Sequence, residues 1–296
     1  MKAVKSILEM IKFSHTLFAL PFALLAAGMA TRSELREGHA WRPLDWLGIL
    51  LCMVFARSTA IAFNRLADRK LDADNPRTAM RHLPRGLLTP AAVAAFVIVC
   101  AAGFVASTAL FWVASRNRLP LDLAGPVLAF ICLYSLTKRF TALSHFWLGA
   151  ALMLAPVSTW IAIRGTIEWP PVILGGAVLF WVAGFDILYA CQDVEFDRRT
   201  GLYSVPARLG VRLSLIVAML CHGMMVGLLA LLAPVFELGW IYATGIAGVA
   251  ALLVYEHRIV RPDDLSRVNL AFFHVNSVIS AGLLIVTVLD MLMLSW

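Results

Sequence analysis

Apolar runs of membrane-crossing length recur along the whole chain, at about 14–31, 46–66, 90–114, 121–137, 142–163, 171–193, 211–233, 238–256 and 269–291. As helices these match roughly 30 Å of hydrocarbon. The pattern predicts an all-α polytopic protein with nine transmembrane helices. The fourth is short and contains Pro126, which a membrane helix tolerates when its neighbours satisfy the freed carbonyl. Two runs are interrupted by acids. Asn64, Asp68 and Asp72 begin inside the second run, and their steps of four keep one helical face, each about 6 Å further along the axis. Asp186, Asp193 and Asp197 close the sixth run, and their steps of seven and four again keep one face. Acids at the edge of hydrocarbon are costly unless paired or bound to a cation, so both faces are candidate functional sites.

Composition agrees with the pattern. The 296 residues are 61% hydrophobic and only 15% charged, whereas a soluble domain carries about 25% charged residues. Five cysteines (Cys52, Cys100, Cys132, Cys191, Cys221) stand singly in apolar runs, without ligand-like spacing, which argues against disulfides and zinc. Lys2, Lys5 and Lys12 ahead of an apolar run imitate a secretory signal, but the many later spans argue against that reading.

The net charge of +7 is a topology signal rather than a nucleic-acid footprint. With the N-terminus in the cytoplasm, most Lys and Arg fall on the cytoplasmic side, as the positive-inside rule requires. Trp41, Trp46, Trp112, Trp160, Trp169, Trp240 and Trp296 then lie near the opposite ends, where an aromatic belt is expected. Both acidic faces fall at cytoplasmic ends, and nine spans leave the C-terminus outside.

A faint repeat divides the single domain, 1–296, into halves of about 1–140 and 141–296. Asp68 and Asp72 match Asp193 and Asp197, and Arg77-Thr78 with Pro84 matches Arg199-Thr200 with Pro206. Repeated halves around a central cavity, here open to the cytoplasmic side, are one way to build an intramembrane site.

Aspartates beside basic loops suggest a diphosphate site. Mg²⁺ prefers oxygen and is held by one or two carboxylates plus substrate phosphates. Cations then bind the remaining oxygens, and the candidates are Arg77, Arg81, Arg85, Lys138, Arg139, Arg199 and Arg208. A diphosphate handled inside a lipid bilayer points to a long lipid tail, which a polyprenyl diphosphate has.

Asn64-x3-Asp68-x3-Asp72, Tyr189-Ala-Cys-Gln-Asp193-x3-Asp197 and Tyr134-Ser-Leu-Thr-Lys138-Arg139 resemble the UbiA superfamily of intramembrane aromatic prenyltransferases over nearly the whole chain. Within it the likeness is to 4-hydroxybenzoate polyprenyltransferases of quinone synthesis. The stretches from Ile11 to Pro21 and from Asp186 to Asp193 are even more similar to relatives on the futalosine route to menaquinone. Many members have Asn-Asp where this chain has Asn64-Arg65, so the first motif has one acid fewer.

The resemblance implies a bacterial inner-membrane enzyme in which Mg²⁺ on Asp68, Asp72, Asp193 and Asp197 binds a polyprenyl diphosphate. The allylic C–O bond ionises and an aromatic acid acceptor attacks the cation. It also implies substrate-binding roles for Asn64, Asp186 and Tyr189. Arg57 shares the Asn64 face, and two readings stay open: a pair with a buried carboxylate such as Asp186, or the partner of the acceptor's carboxylate. Asn64 and Asp186 equally fit an interhelical hydrogen-bonding role. His15 is a candidate for the acceptor site or a packed interfacial histidine; His222 and His274 read as satisfied within their helices. A transporter with central acids is the competing class, but its acids belong near the midplane.

Overall fold

In the computed structural model residues 2–11 and 18–294 are described, and His15 and Trp296 lie outside them. The chain runs α1 (Lys2–Ile11), α2 (Leu20–Arg36), α3 (Pro43–Ala67), α4 (Arg69–Asp74), α5 (Pro90–Ser115), α6 (Leu119–Thr137) and α7 (Ser144–Arg164). There follow α8 (Trp169–Ala190), a 3-10 turn Cys191–Asp193, α9 (Val194–Thr200), α10 (Val205–Val235) and α11 (Trp240–Ile259). The short α12 (Val268–Leu270), a π-helical turn Ala271–Val275 and α13 (Asn276–Met293) complete it. Apart from one isolated bridge, Arg261 to Asp264, regular structure among the described residues is helical.

Each predicted run is helical over its described part except for one or two residues at the start of some. Among the described residues, seven helical stretches are long and apolar enough to cross a membrane: α3, α5, α6, α7, α8 continued through α9, α10, and α12 continued through α13. The other two predicted runs, α2 and α11, fall short for a visible reason. Helix α2 has 17 residues and ends with Arg32, Glu34 and Arg36, and α11 ends on Glu256-His257-Arg258. Large exposed side chains such as Ile98, Val99 and Val113 on α5 and Leu220 on α10 are what a lipid-facing surface presents. The protein is an integral membrane protein.

The chain divides into two compact units, 1–16 with 42–136 and 17–41 with 137–296. In the first, α3 and α5 meet through reciprocal glycine contacts. A Cβ at Gly48 would lie 2.8 Å from the Phe111 ring, and one at Gly103 would lie 2.7 Å from the Phe55 ring. Small residues of this kind let membrane helices approach closely where no hydrophobic effect drives them together. Met10 and Ile11 of α1 pack with Ala62, Leu88 and Val93 under the cytoplasm-facing end predicted for α3.

In the second unit α8 is the axis, with Trp181, Val182, Ala183 and Ile187 fully buried. It touches α7 where a Cβ on Gly149 would come within 2.3 Å of the Leu179 carbonyl oxygen, and α10 where one on Gly184 would meet the His222 ring at 2.4 Å. Helix α10 breaks at Gly210 (φ 77°, ψ 167°), a conformation open almost only to glycine. The buried Asp290 of α13 accepts from the Gly239 and Tyr242 N–H groups at 2.6 and 3.1 Å. A carboxylate thereby stabilises the N-terminus of α11, where orphan donors and the helix dipole favour negative charge.

Candidate active site

The first acidic face sits where α3 gives way to α4. Asp68 is the residue between them (φ −94°, ψ 6°), yet the backbone bonds Asp68 N–H to Asn64 O and Asp72 N–H to Asp68 O, at 2.9 and 2.8 Å, carry the helical spacing across the break. Asn64 Nδ2 donates to Asp68 Oδ2 at 2.8 Å. Arg81 Nη1 donates to Asp72 Oδ1 at 2.6 Å, and Thr78 Oγ1 donates to the Asp72 carbonyl at 3.0 Å, which folds the basic loop back on the helix end. The other carboxylate oxygen of Asp72, Oδ2, is buried without a hydrogen-bond partner. Arg65 interacts electrostatically with Asp68, Asp72 and Arg81. Arg77 is exposed, with its backbone N–H on Asn75 Oδ1. Arg57 stands two turns before Asn64 on α3.

The second face runs from the last turn of α8 into α9. Asp193 and Asp197 are both buried. Asp197 Oδ2 accepts from Ser204 Oγ at 2.8 Å, and Asp197 interacts electrostatically with Lys138, Asp193 and His145. The Lys138 carbonyl accepts the Tyr203 N–H at 2.7 Å, which fixes the backbone of the basic segment against the turn after α9; Arg139 beside it is exposed. Arg208 lies over the Tyr203 ring at 4.6 Å, and Arg199 over the Phe196 ring at 5.8 Å. Two turns before Asp193, Asp186 Oδ2 is 2.7 Å from His145 Nδ1. One oxygen of Asp186, the carboxylate that the sequence offered as a partner for Arg57, is thus held by a histidine of α7.

Tyr189 opens an aromatic cluster. Its ring is 4.4 Å from Phe272, which lies 5.3 Å from Phe185 and 5.5 Å from Phe18. Trp181 is 5.0 Å from Phe185. The π-helical turn brings the consecutive Phe272 and Phe273 into the same cluster, with 4.8 Å between their rings.

Two site residues escaped the sequence reading. Ser204 precedes Val-Pro at the start of an apolar run, an N-cap signal that was available. His145 carried none, because its partner is 41 residues away.

The carboxylate pairs fit a divalent cation. Mg²⁺ typically takes one or two protein carboxylates beside phosphate oxygens, and Asp72 Oδ2 is a buried acceptor without a hydrogen-bond partner. Among the described residues, the one group of three or more potential ligands close together is elsewhere: Glu34, Glu37 and His39. That place already holds a cation, since Arg164 Nη1 donates at 2.7 Å to both Glu34 and Glu37. The same guanidinium holds the Glu37 carboxyl below its ordinary range.

The chain's sequence and fold agree on its kinship. The UbiA prenyltransferase family profile matches residues 19–278. This chain belongs to the UbiA prenyltransferase family. It is 31% identical to a 4-hydroxybenzoate octaprenyltransferase of Nitrosomonas europaea over 83% of each chain. To the enzyme of the same name from Nitrosospira multiformis it is 30% identical over 80% of each. The apo structure of a UbiA homologue from Aeropyrum pernix superposes with a TM-score of 0.82 at 29% identity, covering 95% of this chain and 99% of that one. A UbiA homologue from Archaeoglobus fulgidus bound to GPP and Mg²⁺ shares the fold, with a TM-score of 0.66 at 20% identity over 96% and 99% of the chains.

Proposed function

We propose that the protein transfers a polyprenyl group from a polyprenyl diphosphate to a ring carbon of 4-hydroxybenzoate or a related aromatic acid in quinone biosynthesis. The observation that carries this is Asp72: a buried carboxylate with one oxygen on Arg81 and the other without a hydrogen-bond partner, in a chain whose relatives are 4-hydroxybenzoate octaprenyltransferases. When bound, Mg²⁺ neutralises charge on the departing diphosphate. Asp68, Asp72, Asp193 and Asp197 are its ligands in this reading. Arg81 and Lys138, with Arg77 and Arg139 from the same basic segments, bind diphosphate oxygens left over.

The allylic C–O bond breaks with its electron pair going to the diphosphate. The ring carbon beside the phenolic oxygen forms the new C–C bond, and loss of the proton on that carbon restores aromaticity. Rings of the Tyr189 and Phe272 cluster offer π faces to the allylic cation. A carboxylate entering a low-dielectric space needs a cation to offset its desolvation, and Arg57, set within α3 on the Asn64 face, is assigned to the acceptor's carboxylate. Asn64 and Asp186 are assigned to substrate.

The domain is taken as one integral membrane unit, 1–296, with nine spans in the bacterial inner membrane, the N-terminus cytoplasmic and the C-terminus outside. The distribution of Lys and Arg supports this orientation. Cysteines introduced at 74 and 296 are expected to label from opposite sides. Labelling from one side would overturn the span count.

The function is tested by incubating membranes with Mg²⁺, a labelled polyprenyl diphosphate and a panel of aromatic acids. A C-prenylated hydroxybenzoate is the expected product. Prenylation of uncharged phenols alone would contradict the acceptor assignment.

A further inference from the structure

His145 opens α7 and is fully buried. Its Nδ1 lies 2.7 Å from Asp186 Oδ2, and its Nε2 accepts the backbone N–H of Val205 at 3.3 Å. A nitrogen that accepts from an N–H carries no proton, so the ring proton sits on Nδ1 and is donated to the carboxylate. Both ring nitrogens are thereby used.

Val205 begins α10, and its N–H is one of the donors a helix start leaves unsatisfied. The residue before it is Ser204, also fully buried. The Ser204 hydroxyl accepts from the Ala207 N–H at 3.2 Å and donates to Asp197 Oδ2 at 2.8 Å. A continuous polar chain thus runs from Asp186 through His145 to the first turn of α10 and on to Asp197. Leucine at 145 would leave both Asp186 Oδ2 and the Val205 N–H without partners.

Packing alone does not require this chain to end on carboxylates. On either side of Asp186, Phe185 and Ile187 are 3% and 0% exposed, whereas the Asp186 side chain keeps 14% exposure. One of its oxygens is held by the histidine, and the side chain is partly exposed.

We propose that His145 is a positioning residue of the second acidic face, orienting Asp186 directly toward substrate and Asp197, through the start of α10 and Ser204, for a divalent cation carrying diphosphate. The inference rests on the prenyl-transfer reading given above. Partners that orient metal ligands in this way are typically worth about 10- to 100-fold in metal affinity.

The test is Mn²⁺ binding in the presence of inorganic diphosphate, followed by electron paramagnetic resonance on the detergent-purified full chain. His145→Leu and Ser204→Ala are each expected to weaken binding about tenfold. His145→Gln, which keeps a donor and an acceptor at the side-chain end, should stay within about threefold of wild type, a rescue that a space-filling role would not give. If the leucine variant fails to fold, Ser204→Ala carries the same comparison with His145 intact. Nitrogen-15 spectra of the histidine-labelled protein should show an Nδ1-protonated neutral ring, absent in the His145→Gln variant. Unchanged Mn²⁺ affinity in a folded His145→Leu or Ser204→Ala protein, or a ring protonated on Nε2, would overturn the inference. A wild type that shows the expected tautomer but binds no Mn²⁺ with diphosphate would instead remove the metal reading on which the inference stands.

Discussion

Arg81 Nη1 meets Asp72 Oδ1 at 2.6 Å, while the second oxygen of that carboxylate is buried without a hydrogen-bond partner. A half-satisfied buried carboxylate is costly, and a cation that binds only the folded protein lowers that cost. Mg²⁺ is therefore expected to raise the melting temperature of the detergent-purified protein. Asp72→Asn removes the charge at constant size and should abolish this rise while lowering turnover by about 100-fold or more. Equal Mg²⁺ stabilisation in the two proteins, measured by thermal scanning, would count against Asp72 as a ligand.

Arg57 gives a separable prediction. Arg57→Met keeps much of the side chain's length and loses its charge. The KM for the aromatic acid should rise about tenfold or more, and the KM for the polyprenyl diphosphate should change little. Initial-rate kinetics with each substrate varied in turn will decide, and an unchanged acceptor KM would remove Arg57 from the acceptor site.

Helix contact in the second unit depends on a missing side chain. A Cβ at Gly149 would fall 2.3 Å from a backbone oxygen of α8, so Gly149→Ala must push α7 and α8 apart and should destabilise the protein by about 1–3 kcal/mol. Gly125 of α6, with nothing within 4 Å of the same position, is the control: Gly125→Ala should be neutral or slightly stabilising. Melting temperatures of both variants check the contrast.

Asn276 is the hub of a buried network. It accepts from Trp181 Nε1 at 2.6 Å and donates to Glu256 Oε1 at 3.1 Å, with further bonds to the Ala271 and Phe272 carbonyls of the π-helical turn. Asn276→Leu leaves those groups short of a partner in a dry interior. A loss of about 1–3 kcal/mol is expected, visible as a lower melting temperature. An unchanged melting temperature would mean that the network re-satisfies itself.

Helix positions were legible because apolar run length is a direct physical requirement of the bilayer; α3, α5 and α7 lie within three residues of the runs read for them. The acidic faces were legible for a related reason, since regular spacing of costly groups needs an explanation. What the sequence could not give was partnership across elements. His145 reaches Asp186 across 41 residues, and Asn276 reaches Trp181 across 95. Such pairs follow from how helices pack. The aromatic cluster was hidden for the same reason, compounded by the π-helical turn, which departs from the spacing used to assign faces.

The central claim, that both acidic faces serve one metal-dependent prenyl transfer, is tested most directly by one assay. Membranes carrying wild type, Asp68→Ala or Asp193→Ala are incubated with labelled polyprenyl diphosphate and 4-hydroxybenzoate, with Mg²⁺ or with a chelator. The account predicts prenylated product only from wild type with Mg²⁺, with each variant inserted in the membrane but retaining at most about 1% of turnover. Near wild-type product from either variant, or full activity in chelator, would contradict it.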